Sequence, residues 1–488
     1  MSAIRKLAGQ TAIYGMSSIV GRLLNYLLVP IYTMVFTDPA DYGVVSELYA
    51  YVAFFIVLLT FGMETTFFRF INNEQNQDKV FSNAFVSLTG INALFLLVVL
   101  VFLGPISEAM LYADHSEYIA LLAIIVAVDA MSSLPLARLR AKEQAKQFAI
   151  VQLASIFTNI VLNLFFLLVL FDPETDDPAM GVLYIFIANL VSSLIRPVLL
   201  WREFLSIRLE VDPELLKKMW WYAFPIVIAG FAGIINETID RILIKQLLNN
   251  VELVPEGYIG GALRYAESQV GIYSANYKLA MLITIFLQAF RYAAEPFFFA
   301  QAKDDPKRKI YGRVMNYLIA ALAAFFLLVT LNIDIFKYFI RNEAYWEGLK
   351  VVPVLLIANI FLGIYMNQSI WYKLSGQTKY GAYISIVGAT ATVILLVSLV
   401  PVFGYMAAAW TTLLVYGGQM TASYLLGQKH YPIKYNLRKA GFYFVLALVI
   451  YIIKRLLNLE FGFVQFFVHN ILLLLFIGVV YRIEFFKR

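Results

Sequence analysis

The sequence contains no cysteine and only three histidines, His115, His430 and His469, far apart along the chain. The first absence excludes disulfides, thiolate metal sites and cysteine nucleophiles; the second argues against a histidine-based metal centre, so neither metal nor cofactor is expected. Charge is also scarce, at 14% of 488 residues against 61% hydrophobic, where soluble domains carry roughly 45–50% apolar residues. There is no phosphate-binding glycine loop of the Walker type, no nucleophile elbow and no HExxH, so ATP hydrolysis or hydrolytic chemistry would need another subunit. Long connections are missing too. The longest outer one covers about residues 249–267, which leaves no catalytic domain outside the membrane, and the chain does not read as an enzyme. Met1 to Gln10 carries Arg5 and Lys6 ahead of an apolar run that contains Arg22 and lacks a small-residue cleavage site, so no removable signal peptide is expected. The formal charge of +6 lies between apolar runs, where it sets topology rather than binding nucleic acid.

What the sequence has in quantity is long apolar runs. A hydrocarbon core of about 30 Å needs about 20 residues of helix, and on that measure the chain reads as an all-α polytopic membrane protein of about fourteen spans. They run near 9–36, 42–71, 80–104, 116–141, 147–171, 179–203, 216–248, 268–301, 310–332, 348–374, 379–400, 404–427, 438–457 and 462–484. Basic residues cluster in the even-numbered connections, for example Arg138, Arg140, Lys142 and Lys146, or Lys429, Lys434, Arg438 and Lys439. That side holds roughly 26 basic residues against about 6 on the other, which puts both termini in the cytoplasm. Trp220, Trp221 and Tyr222 stand where the seventh span would leave the cytoplasm, as an aromatic belt would.

Asp212-Pro213-Glu214 has helix-start chemistry, an acceptor at the N-cap followed by proline at the first helical position, and marks a boundary between halves. The segment Tyr42-Gly-Val-Val-Ser-Glu-Leu-Tyr49 aligns without gaps on Val270-Gly-Ile-Tyr-Ser-Ala-Asn-Tyr277. Two pseudo-symmetric six-helix lobes follow, residues 1–210 and 211–430, related by an axis along the membrane normal. Residues 431–488 add two further helices.

Charges inside the spans carry the functional signal. Arg22, Asp129, Glu237, Asp240, Arg241, Lys245, Lys278 and Arg291 interrupt otherwise apolar stretches. A centrally placed Arg, Lys or Asp costs about 2.5–3.5 kcal/mol unless it faces a polar interior, so a polar cavity is implied. Glu237, Arg241 and Lys245 share one helical face at i, i+4 and i+8, and Asp240 lies about 100 degrees from Arg241. Either this group serves the cavity, or Glu237 and Arg241 neutralise each other and leave Lys245 over. Arg22 lies about 20 Å along the first span and Lys278 about 15 Å into the eighth, both near the midplane. A structural pairing of either with Asp129 is the alternative to a cavity role. Arg291 and Glu295 are i, i+4 neighbours closer to the cytoplasm. Glu64 and Arg69 sit at the cytoplasmic end of the second span and Arg196 near the end of the sixth, where snorkelling would accommodate the two arginines. Gln152, Ser155, Asn159 and Asn163 form one stripe of the fifth span, which suits a sugar-lining wall and interhelical hydrogen bonding equally.

At Gly21-Arg22-Leu-Leu-Asn25, Thr37-Asp-Pro-Ala-Asp-Tyr-Gly43 and Val270-Gly-Ile-Tyr-Ser-Ala-Asn-Tyr-Lys-Leu279 the chain resembles the polysaccharide-export branch of the multidrug/oligosaccharidyl-lipid/polysaccharide exporter superfamily. The resemblance runs essentially over the whole chain. It implies two six-helix lobes around a cavity that alternates between cytoplasm and outside, in a bacterial inner membrane, with a polyprenyl-pyrophosphate-linked oligosaccharide as cargo. By that resemblance Arg22, Lys278 and Arg291 would hold the pyrophosphate, and the two extra spans are similar to those that form a lipid-tail groove in lipid II flippases. Arg241 and Lys245 would extend a basic path, while Asp129, Glu64, Glu237, Asp240 and Glu295 are charge-pair or coupling candidates for a proton or sodium ion. A monomer is expected, with glycan polymerase or glycosyltransferase machinery as a candidate partner. Two other readings stay open: a multidrug or organic-cation antiporter of the same fold, which would favour acidic cavities, and an integral-membrane glycosyltransferase or polymerase.

Overall fold

The computed structural model describes residues 19–71, 77–208, 211–301 and 308–486, and the described residues form fourteen principal helices. In chain order these are α1 (Ile19–Val35), α2 (Pro39–Ile71), α3 (Gln77–Val101), α4 (Ser116–Ala141), α5 (Ala145–Leu170), α6 (Pro178–Leu199), α7 (Pro213–Leu248), α8 (Gly261–Gln301), α9 (Arg308–Leu331), α10 (Glu343–Leu374), α11 (Lys379–Phe403), α12 (Tyr405–His430), α13 (Leu437–Leu457) and α14 (Phe463–Phe485). Among the described residues twelve of these are long and apolar enough to cross a membrane, two fewer than the fourteen spans expected. The other two fall short for different reasons. The described part of the first span, α1, is short, and residues 9–18 of the expected span lie outside the described residues. Helix α12 has 26 residues, enough to cross, but Thr411, Thr412, Gly417, Gly418, Gln419 and Thr421 dilute its apolar character.

Three helices start with the same chemistry. Asp38, Asp177 and Asp212 each precede a proline and accept a backbone N–H two residues on, at 2.9, 2.9 and 3.0 Å. The proline supplies a fixed φ where its missing N–H is harmless, and the carboxylate satisfies a donor the first turn leaves unpaired. Asp212 also accepts from Leu215 N at 3.1 Å and pairs with Lys79 at 2.7 Å. Chiefly through that Lys79 contact, its carboxyl is held below the usual carboxylate range. The same connection is pinned to α3, where Asn83 Oδ1 accepts from Asp212 N and Ser82 Oγ from Arg208 N.

Residues divide into two compact units, one ending at Ile242 and one beginning at Leu243, within α7. In the first, Phe67, Phe81, Phe85, Leu134 and Met219 close an apolar core around α2, α3, α4 and the start of α7. In the second, Phe298, Tyr311, Trp371 and Ile433 build a core where α8, α9, α10 and the α12–α13 connection meet. Large apolar side chains are exposed on both units, including Leu97, Phe157, Val387 and Leu474 at 60%, 67%, 68% and 64%. Such a surface needs hydrocarbon around it, and the helices satisfy their own backbone groups as that setting demands.

Helix α8 is 41 residues long and begins at Gly261, seven residues earlier than its apolar run suggests. Lys278 therefore lies about 26 Å from its start by helical rise, not about 15 Å.

Candidate functional site

In the first unit, α2, α4 and α6 bring together a polar group inside the spans. Helix α6 presents Asn189, Ser193 and Arg196 at i, i+4 and i+7, hence on one face. Asn189 donates to the Tyr49 hydroxyl of α2 at 3.0 Å. Arg196 Nη1 lies 2.6 Å from Asp129 Oδ1 of α4, and the two side chains keep 22% and 19% of their surface exposed. The buried Arg196 Nε has no hydrogen-bond partner among the described residues. Arg196 is therefore not a snorkelling residue, and Asp129 is joined to neither Arg22 nor Lys278 in a described pair. A guanidinium has five donors in a rigid fork. One carboxylate faces part of it, and neither Asp129 Oδ1 nor Arg196 Nε makes a hydrogen bond among the described residues, which leaves a half-open pair reaching from the interior of α4 to the last turn of α6.

The α7 cluster resolves differently from its i, i+4 spacing. Arg241 Nη1 donates to Asp240 Oδ1 at 2.8 Å and to the Glu237 carbonyl at 2.9 Å, while the Glu237 side chain is exposed. The guanidinium thus curls onto its own turn, satisfying a backbone oxygen and the adjacent carboxylate together. Arg241 and Asp240 are both buried, at 9% and 6%. Lys245, fully buried in the second unit, is not left over: its Nζ lies 3.3 Å from Glu267 Oε1 of α8. Glu267 belongs to the first turns of α8, in a stretch that reads as an outer loop from sequence.

The remaining candidates separate. Arg22 on α1 is exposed and belongs to the first unit; Lys278, half-buried, and Arg291, exposed, belong to the second. Arg291 lines a small cavity of about 20 Å³ with Asn367, Ser369 and a second cation, Lys373. The Glu295 side chain lies outside the described residues. Glu64 pairs with Arg140 of α4 at 2.7 Å, and Arg69 stacks over the Tyr222 ring at 5.6 Å, so both are held at the basic end of the first unit. There Arg138 reaches Asp78 at 2.5 Å, Glu203 at 3.1 Å and the Ser206 hydroxyl, a network spacing alone does not announce.

On α5, hydrogen bonding between helices engages much of the polar stripe. Asn163 is buried; it accepts from the Tyr32 hydroxyl at 2.9 Å and donates to the Asn159 carbonyl at 2.7 Å and to Asn159 Oδ1 at 3.1 Å. Ser155 donates to the Ser192 carbonyl of α6 at 2.9 Å. Gln152 is half-buried. Two buried contacts echo each other across the units. Glu47 of α2 accepts from the Tyr112 hydroxyl at 2.5 Å, and Asn276 of α8 donates to the Tyr345 carbonyl at 2.7 Å. In each case the helix bearing one of the aligned segments is tied to the chain just before, or at the start of, the helix two further on.

Fold and charges together define a polytopic helical membrane protein whose spans enclose paired and half-open ions. The chain belongs to the polysaccharide biosynthesis protein family, whose model matches residues 7–302. No curated protein matches it by sequence. Its fold is similar to that of a solved structure of the lipid II flippase MurJ, recorded in an inward closed conformation, at 13% identity and TM-score 0.69 over 96% of this chain and 98% of that one. An inward-facing multidrug resistance MATE family transporter of the MOP superfamily matches at 14% identity and TM-score 0.62, over 88% and 98%. A MATE protein in the straight conformation gives 12% and 0.59, over 87% and 95%.

Proposed function

We propose that this protein moves a polyprenyl-pyrophosphate-linked oligosaccharide from the cytoplasmic to the outer leaflet of a bacterial inner membrane, by alternating access through a basic cavity. The half-open Asp129–Arg196 pair carries the proposal, because it offers an anion a partly buried cation that is incompletely bonded. Asp129 acts as the resting counterion, and an arriving pyrophosphate, with more oxygens and more charge, takes over the guanidinium fork. Arg22 in the first unit, and Lys278 and Arg291 in the second, are the further cationic candidates for the pyrophosphate, each within its own unit. Arg241 and Lys245 are the weaker candidates, since carboxylates already engage both. Family membership supports a glycan pathway, and the fold shared with a flippase supports lipid-linked cargo.

An inside-negative potential favours outward movement of anionic cargo by about 2.3 kcal/mol per charge per 100 mV, and drives the emptied basic cavity back. A proton or sodium ion on Asp129 would be an additional coupling route. The MATE likeness keeps an organic-cation antiporter as the second reading, in which Asp129 rather than Arg196 would meet the cargo. Purified protein in liposomes, loaded with a defined polyprenyl-pyrophosphate glycan and with an imposed potential, decides between them. Translocation of the glycan supports the first reading; proton-coupled uptake of organic cations without glycan movement overturns it.

A further inference from the structure

Helices α11 and α12 line a half-open cavity of about 310 Å³ that none of the transport candidates touches. Apart from the Tyr383 hydroxyl and the Gln419 amide, its walls are aliphatic, including Val387, Ala391, Leu414 and Ala422. Gln419 fits because residue 388 is glycine: a Cβ there would stand 2.1 Å from its Nε2. The lining runs over residues 383–395 and 414–426, a rise of about 18 Å, slightly more than the roughly 15 Å of one leaflet in a core about 30 Å thick. A volume near 300 Å³ lies at the small end of ligand pockets.

Both walls lead to a lysine. Lys379 lies one turn before Tyr383 on the same stripe of α11, and Lys429 lies three residues after Leu426 on the stripe of α12. Their neighbours Tyr380 and His430 bring the helix ends together, with ring centroids 4.8 Å apart. Among the described residues no carboxylate lies within ion-pair distance of Lys379 or Lys429. The reason is partly in the sequence, which has no Asp or Glu between Glu347 and Glu460 while carrying Lys373, Lys379, Lys429, Lys434, Arg438 and Lys439. Two exposed cations thus cap an apolar, lipid-facing slot one leaflet deep.

We propose that this slot binds an anionic glycerophospholipid, with one acyl chain in the cavity and the headgroup phosphate on Lys379 and Lys429. Acyl burial supplies affinity for any lipid of the leaflet, and the two lysines select the anionic ones, since among the described residues no carboxylate pairs with either and Lys379 Nζ meets only the Tyr380 ring, at 5.6 Å from its centroid. A polyprenyl tail is the poorer occupant, because the cavity ends after one leaflet depth.

Native mass spectrometry of the full chain tests the assignment, using phosphatidylglycerol, phosphatidylethanolamine of the same acyl chains, and a polyprenyl monophosphate. The parent protein should retain phosphatidylglycerol over phosphatidylethanolamine by about 30-fold, the effect of two lysines near a membrane surface. K379Q/K429Q, altered only at exposed positions, should lose that preference. Gly418→Leu should lower retention of both lipids, because the Cβ position of Gly418 has no neighbour within 4 Å. Equal retention of the two phospholipids by the parent, or an unchanged preference in the double variant, overturns the proposal. So does displacement of phosphatidylglycerol by an equimolar polyprenyl monophosphate, which would assign the slot to a polyprenyl tail. None of these outcomes depends on whether glycan is transported.

Discussion

Asp129 Oδ1 and Arg196 Nη1 are 2.6 Å apart, joining the interior of α4 to the last turns of α6. If cargo competes with Asp129 for the guanidinium, the two partners are not equivalent. Arg196→Ala removes charge-assisted bonds of about 1.5–3 kcal/mol each, so glycan translocation in liposomes should fall by roughly 10- to 100-fold. Asp129→Asn keeps the cation that would meet the cargo and removes only its partly buried counterion, so it should lower translocation by clearly less than Arg196→Ala does. Equal losses in both variants would make the pair structural and remove it from the cargo path.

Lys245 and Glu267 present the opposite case, a pair with almost no exposed surface. Removing one partner of such a pair typically costs about 3–5 kcal/mol, whereas replacing both with apolar residues of similar volume is often neutral. Lys245→Met should therefore lower the melting midpoint of the detergent-solubilised protein sharply, and K245M/E267L should recover most of the loss. Normal transport in the recovered double variant would show that Lys245 does not touch cargo. A stable but inactive double variant would return it to the binding surface.

These two pairs show where sequence reading reaches and where it stops. The Asp212-Pro213 cap depends on adjacent residues, and it is legible because its geometry is local. Membrane spans are legible for a similar reason, since lipid enforces continuous apolar helix. The partner of Lys245 is hidden because α8 continues past its apolar run into the stretch that reads as an outer loop, where Glu267 sits. Arg196 and Asp129 are 67 positions apart, and no periodicity links α4 to α6. Helical spacing even misdirects at Arg241, whose long side chain bonds its own turn instead of the Glu237 carboxylate.

Asn163 tests whether the α5 stripe lines a sugar path. Its amide bonds both Tyr32 and Asn159, leaving little to offer a glycan. Interhelical hydrogen bonds inside membranes average about 0.6 kcal/mol in double-mutant cycles. A cycle of Tyr32→Phe and Asn163→Leu, read by unfolding in mixed micelles, should give a coupling of that order, with glycan translocation within about twofold of the parent. A selective loss of transport at full stability would favour the sugar-lining role instead.

Glycine-to-alanine substitutions at two positions of the second unit should have opposite signs. At Gly348, a Cβ would stand 2.3 Å from Asn276 Nδ2, 2.7 Å from the Ile272 side chain and 2.9 Å from the Ile272 carbonyl oxygen. The amide could swing aside, but it would then abandon the Tyr345 carbonyl that it reaches at 2.7 Å, and the backbone oxygen of Ile272 has nowhere to go within a helix. Overpacking of this kind costs about 1–3 kcal/mol, and the lost hydrogen bond adds about 1 kcal/mol. At Gly418, in the interior of α12, no atom lies within 4 Å of the added Cβ. Alanine there gains the helix preference over glycine, up to about 1 kcal/mol, and meets no steric opposition. Thermal unfolding in one detergent should therefore show G348A below the parent and G418A level with it or above. A G348A protein as stable as G418A would mean that the contact between α8 and the start of α10 yields easily, and that Asn276 does not fix the entry to α10.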